Sequence, residues 1–187
     1  VGTSTAWLIT MFEFPFRRSL ELLLVLPLAI PSYALSYIYT ELLGAGGIIH
    51  QAVSTLFGVN SLYINLYSLP GAIFVFTFSL FPYVYLLSRL SFISQSNIYF
   101  NLARLSGSSS WNIFRKIALP LSRPAIIGGV VLVCMETLAD YGVADYLGIN
   151  TFTKGIFRTW FNLGDHSSAA KLASMLLFTV GIIILIE

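Results

Sequence analysis

Between Glu41 and Arg89 the sequence contains no aspartate, glutamate, lysine or arginine, and His50 is the one ionisable side chain there besides tyrosines. A water-facing surface is not built from such a stretch, because aspartate, glutamate, lysine and arginine are the residues that soluble domains keep exposed. The rest of the chain follows the same bias. It is 57% hydrophobic and 10% charged, with a mean hydropathy of +0.83, against roughly 25% charged residues in ordinary soluble domains. This places it among membrane proteins.

A bilayer core of about 30 Å needs about 20 mostly apolar residues in a helix. Four such spans are predicted, at Leu20–Tyr39, Leu66–Leu87, Pro120–Thr137 and Ala169–Ile186, with a partial fifth at Val1–Met11. The fold class expected is therefore all-α, a polytopic membrane helix bundle of about five spans. The sequence starts at Val1 among apolar residues, without the basic segment a secretory signal needs, and stops at Glu187 directly after an apolar run. The expectation is a fragment of a longer polytopic protein.

Lysine and arginine gather on the cytoplasmic side of membrane proteins. Alternating the spans puts Arg17, Arg18, Arg89, Arg104, Arg115, Lys116 and Arg123 on one side and Lys154, Arg158 and Lys171 on the other. The side carrying Ser91–Leu119 is predicted to be cytoplasmic. Of the external connections, Leu42–Asn65 contains a stretch, Ile48–Phe57, too short to span, and Tyr141–Ser168 is rich in aromatic residues that suit the headgroup level. Pro27 and Pro31 each remove a backbone donor from the first full span and predict a bend.

The net charge of +2 is small and no run of five like charges occurs, so no nucleic-acid partner is expected. Cys134 is the single cysteine, which excludes a disulfide framework and any cysteine-based zinc pattern. No GxxxxGK[ST] phosphate loop, HExxH or GxSxG occurs. The chain is expected to be no enzyme and to need no cofactor.

The segment from Asn97 to Pro124 lies between two spans yet is amphipathic. Ile98, Leu102 and Leu105 share one face of a helix that Ser96 or Asn97 can cap and Gly107 can end. Trp111, Phe114 and Ile117 then recur every third residue, and Pro120 suits the first turn of the next span. An apolar face backed by Arg104, Arg115 and Lys116 fits either lipid headgroups or a groove in another protein.

The spacing resembles the EAA loop of ABC importer permeases, which reads Glu-Ala-Ala, three residues, Gly, nine residues, Ile, any residue, Leu-Pro. Here those places hold Asn101, Leu102, Ala103, then Gly107, Ile117, Leu119 and Pro120. Asn101 stands for the glutamate and Leu102 for the first alanine, so the loop lacks the stronger hydrogen bonds of an ionised acceptor. The resemblance extends to Thr5–Leu8, Phe14–Arg18 and Leu26–Pro31 before the loop. After it, Met135–Gly142, Thr151–Ile156, Arg158 and Trp160 look most like the ferric-iron branch, while thiamine, polyamine and sulfate permeases share the fold.

The resemblance implies a permease subunit in the bacterial inner membrane, multi-pass, in which residues 97–119 couple it to a separate ATP-binding subunit present in two copies. Arg104 belongs to this coupling set. It also implies a binding protein outside and a second permease unit, with residues 1–187 as the first of two tandem units. The cargo implied is ferric iron.

Two carboxylates, Glu136 and Asp140, lie four apart near the external end of their span, with Tyr141 beside them. They are candidates for the substrate pathway; interfacial capping or a salt bridge to Lys154 or Arg158 is the alternative. Tyr141, Asp145, Tyr146, Asp165 and His166 are hard ligands on the side where iron would arrive, but their spacing makes no recognised site and no resident metal is expected. A gradient-driven secondary transporter, the runner-up, would need no paired docking element.

Overall fold

The computed structural model describes residues 1–57, 65–95, 107 and 109–186. Among them the chain is helical, without strands: α1 Gly2–Met11, α2 Arg17–Val25, α3 Ser32–Leu43, α4 Ile48–Phe57, α5 Leu69–Ser94, α6 Ser110–Ile113, α7 Leu119–Leu121, α8 Arg123–Ala139, α9 Gly142–Tyr146, α10 Phe152–Phe157 and α11 His166–Ile186. The expected all-α membrane helix bundle is what forms. Among the described residues, α5 and α11 are the helices that are each long and apolar enough to cross a membrane unaided. Two further helix pairs reach that length and composition when taken across a break, α2 to α4 and α6 to α8.

The stretch Leu20–Tyr39, expected as one span, is interrupted. Helix α2 ends at Val25, Leu26–Ala29 form a 3-10 turn, and Pro31 is extended (φ −56°, ψ 139°) ahead of α3. Two prolines four apart delete two donors from consecutive turns, which ends the α ladder rather than merely bending it. The span expected from Pro120 starts instead at Arg123, because Ser122 leaves the helix (φ −89°, ψ 1°) between α7 and α8. The partial span at Val1–Met11 is a ten-residue helix, about 15 Å long.

Contacts divide the chain into two compact units, Val1–Leu26 with Phe81–Cys134, and Pro27–Leu80 with Met135–Ile186. The first centres on Ala6, Trp7, Ile9, Tyr85, Phe92, Ile113 and Ala118. Glycines let backbones approach there. A Cβ on Gly2 of α1 would meet Tyr85 N at 2.8 Å, and one on Gly129 of α8 would meet Val84 Cα at 2.9 Å. Small residues of this kind set helix separation in membranes, where the hydrophobic effect gives no drive for helices to associate.

The second unit centres on Leu66, Ala72, Val75, Val143 and Leu147. Helix α11 is capped by Asp165, whose carboxylate accepts the Ser168 N–H at 3.0 Å. The Ser168 side chain first, and then that N–H, hold the Asp165 carboxyl below its ordinary value. By sequence the first unit carries seven basic and two acidic residues through position 186, and the second three basic and five acidic.

Candidate functional site

Of the expected coupling residues, Asn101, Leu102, Ala103 and Arg104 lie outside the described residues, as do the helix expected from Ile98 to Leu105 and its cap at Ser96 or Asn97. Gly107 is described, exposed, at φ +78°, the left-handed conformation expected of a helix-ending glycine. From Ser109 the segment is built residue by residue. The Ser109 hydroxyl accepts the Asn112 N–H at 3.3 Å and starts α6.

Residues Phe114–Ala118 then form a π-helical turn, with the Leu119 N–H bonded to Phe114 O. Pro120 has no N–H to give, so the ladder loses a donor two residues beyond this turn. The apolar face expected at Trp111, Phe114 and Ile117 is shifted. Ile113 and Ala118 are buried in the first core, and Phe114 and Ile117 pack on it. Phe114 lies 5.1 Å from Trp7, ring centre to ring centre. Trp111 is 64% exposed, and Arg115 and Lys116 are exposed beside it. The segment thus has an anchored side and a side carrying one indole and two cations. The three-residue repeat holds at Phe114 and Ile117, which pack on the core, and fails at Trp111.

The exit of the segment is tied to α5 by a polar knot that sequence reasoning missed. Ser122 is fully buried, and its Oγ accepts from Gln95 Nε2 at 2.6 Å and from Ser91 Oγ at 3.1 Å. Gln95 also donates to Ala118 O at 3.4 Å. A bend of 70° separates Ser110–Leu121 from α8 at this point, so the knot satisfies polar groups that the bend would otherwise leave buried and unpaired. Ser91 and Gln95, four apart at the end of a long apolar stretch, were the available signal.

In the second unit, Glu136 is exposed on α8 and Asp140 half-buried just past its end. Asp140 Oδ1 accepts the Val143 N–H at 2.7 Å and so caps the first turn of α9. Burial pushes its carboxyl above the ordinary value, the Val143 N–H pulls it back, and Glu136 adds to the rise. Among the described residues neither Glu136 nor Asp140 forms an ion pair, and Lys154 pairs instead with Asp145 at 3.3 Å. The structure therefore gives Asp140 a capping contact and leaves Glu136 without one.

Tyr141 stacks on Phe157 with ring centres 4.3 Å apart. Desolvation first, and then the Asp145 carboxylate, hold its phenol above the ordinary value, so it stays neutral. Tyr146 is drawn elsewhere, with its OH 2.7 Å from Thr40 Oγ1 and 3.2 Å from Tyr67 OH, while His166 packs on Trp160. Among the described residues no three His, Cys, Asp or Glu side chains converge as a metal group would need.

The whole chain, residues 1–187, matches the family described as binding-protein-dependent transport system inner membrane component. It is 29% identical over 177 residues to the molybdenum transport system permease protein ModB of Escherichia coli (strain K12), covering 91% of this chain and 76% of that one. The sulfate transport system permease protein CysW of the same strain is 27% identical, covering 96% and 63%. The Fe(3+)-transport system permease protein FbpB 2 of Haemophilus influenzae is 25% identical, and this chain spans 31% of its length. A bacterial alginate ABC transporter, solved with an alginate-bound periplasmic protein, shares the fold at a TM-score of 0.80 and 15% identity, covering 99% of this chain and 68% of that chain.

Proposed function

We infer, since this chain belongs to the binding-protein-dependent transport system inner membrane component family, that it forms part of the membrane pathway of an ABC importer. The observation that carries the reading is the segment from Gly107 to Pro120, anchored on one face in the Trp7 core and presenting Trp111, Arg115 and Lys116 on the other. It would dock an ATP-binding subunit, present in two copies, with Asn101, Leu102, Ala103, Arg104, Gly107, Ile117, Leu119 and Pro120 as the coupling set. A second permease unit and an external binding protein complete the transporter. The seven basic residues of the first unit support a cytoplasmic orientation for it in a bacterial inner membrane. One tandem half within a longer chain agrees with the 31% of the iron permease relative that this chain spans.

For cargo, the ferric-iron reading rests on Met135–Gly142 and Thr151–Ile156, and on the acidic excess of the second unit, where Glu136, Asp140 and Tyr141 are the pathway candidates. Carboxylates at an external mouth raise the local concentration of a cation. A second reading, an oxyanion, is favoured by the higher identity to the molybdenum and sulfate permeases. The complete complex in vesicles separates the two by ATPase stimulation with binding proteins loaded with ferric iron, molybdate or sulfate; stimulation by an oxyanion-loaded protein alone rejects iron. Thiols introduced by Ser109→Cys and Arg115→Cys should be shielded when the ATPase is bound. Equal labelling with and without it rejects the docking role.

A further inference from the structure

We propose that the cavity bordered by Glu13, Phe14, Phe16, Arg17 and Arg18 holds the headgroup of a phospholipid that carries both a phosphodiester and a primary ammonium, of the phosphatidylethanolamine type. The cavity is a shallow, open depression of about 370 Å³ in the turn between α1 and α2. Its charges are of both signs and are not used on each other. Among the described residues the ion pairs are Arg17–Glu21, Arg89–Glu21 and Lys154–Asp145, so neither Glu13 nor Arg18 takes part in one. Opposite charges that share a concavity without pairing are complementary to a ligand that carries both.

Behind the cavity the balance favours an added phosphate. Arg17 at 3.5 Å and Arg89 at 3.0 Å share the single carboxylate of Glu21, which leaves one guanidinium charge over. Arg17 Nε, Arg89 Nε and the Tyr85 hydroxyl are buried donors without an acceptor, for Arg17 Nε is near Glu21 but not aligned to donate. Arginine is the side chain best shaped for phosphate oxygens.

The turn is also strained outward. Phe16 has φ +65°, the one positive φ outside glycine among the described residues, and its ring is 83% exposed. A bulky residue there is an outlier, of the kind that persists where surroundings over-determine it and that clusters at binding sites. Phe14 beside it is 37% exposed, and exposed aromatic side chains are the type enriched at the headgroup level of membranes. An anionic headgroup would meet Glu13 with repulsion, and a choline ammonium has no N–H to give its carboxylate.

The test uses the complete purified transporter in detergent, with phosphatidylethanolamine, phosphatidylcholine and phosphatidylglycerol of matched chains, and counts retained lipids by native mass spectrometry. Phosphatidylethanolamine should be retained over both others. Glu13→Gln should abolish the preference over phosphatidylglycerol, and Arg18→Gln, at an exposed position without an ion pair, should lower retention about fivefold. Equal retention of the three lipids, a preference unchanged in Glu13→Gln, or displacement by soluble phosphoethanolamine at the lipid's own concentration overturns the proposal. So does protection of this turn by the ATPase instead of by lipid.

Discussion

The Gln95 amide donates to the Ser122 hydroxyl across 2.6 Å, joining the C-terminal end of α5 to the turn from which α8 departs. A fully buried hydroxyl is thereby the shared acceptor of Ser91 on α5 and of Gln95 just beyond it. If the segment docks an ATP-binding subunit as proposed, this contact would link it to α5 in addition to the chain.

Ser122→Ala leaves the Gln95 amide and the Ser91 hydroxyl buried with fewer partners, a cost of about 1–3 kcal/mol. The expected outcome is a lower melting temperature and ATP hydrolysis less tightly linked to uptake. Ser122→Thr, which keeps the hydroxyl, should retain the linkage; loss of linkage in both variants would point to steric sensitivity of the bend instead.

Gly107→Val forces a β-branched residue to φ +78°, a local cost of about 1–2 kcal/mol. No neighbour lies within 4 Å of the added Cβ, so the effect is conformational and not a clash. Uptake should fall while the protein still inserts, as measured by membrane fractionation beside transport. Asn101→Glu, which restores the family's usual residue, should be tolerated in the same assay.

Gly129→Ala should destabilise by about 1–3 kcal/mol, because its Cβ would sit 2.9 Å from the backbone of Val84. Gly181→Ala is the control, with nothing within 4 Å of the new methyl. Thermal unfolding of both variants in one detergent decides it, and equal melting temperatures would remove the close approach of α8 and α5 as a stabilising feature.

Asp140 carries a raised carboxyl, so the folded protein binds its proton more tightly than the unfolded chain does. The sign of the linkage follows. Stability is greatest below the ordinary carboxylate value and declines as pH rises from there through the raised one. Asp140→Asn keeps an acceptor for the Val143 N–H and should flatten that decline, whereas Asp140→Ala loses the cap. Uptake by the Glu136→Gln, Asp140→Asn double variant tests the pathway role separately: reduced cargo uptake with an intact complex supports it, and unchanged uptake removes it.

The fold class and the long helices were legible because apolar length is a coarse signal. Leu66–Leu87 and Ala169–Ile186 were expected, and α5 at Leu69–Ser94 and α11 at His166–Ile186 are observed. What stayed hidden depended on single hydrogen bonds. Pro27 and Pro31 read as a bend and turned out to end the helix, and Ser122 interrupts what composition joins. At the candidate site, the left-handed Gly107 was readable from residue type alone, while the side of the segment facing outward was not. That side is set by the Phe114–Ala118 turn, which no hydropathy period encodes. Asp140 was readable as a carboxylate at a helix end, and its partner, a backbone N–H three residues on, was not.

The π turn at Phe114–Ala118 has a consequence for how this segment can change over evolutionary time. Each residue added to or removed from an α-helix rotates what precedes it by about 100°, and a π turn is an α turn carrying one residue too many. Deleting one residue between Phe114 and Ala118 would close the turn to a regular ladder and leave Ile113 facing the Trp7 core, because the wider turn has already absorbed the extra residue. This stretch can therefore lose one residue without turning its anchored side outward, whereas a deletion in a regular turn on either side of it would rotate that side away.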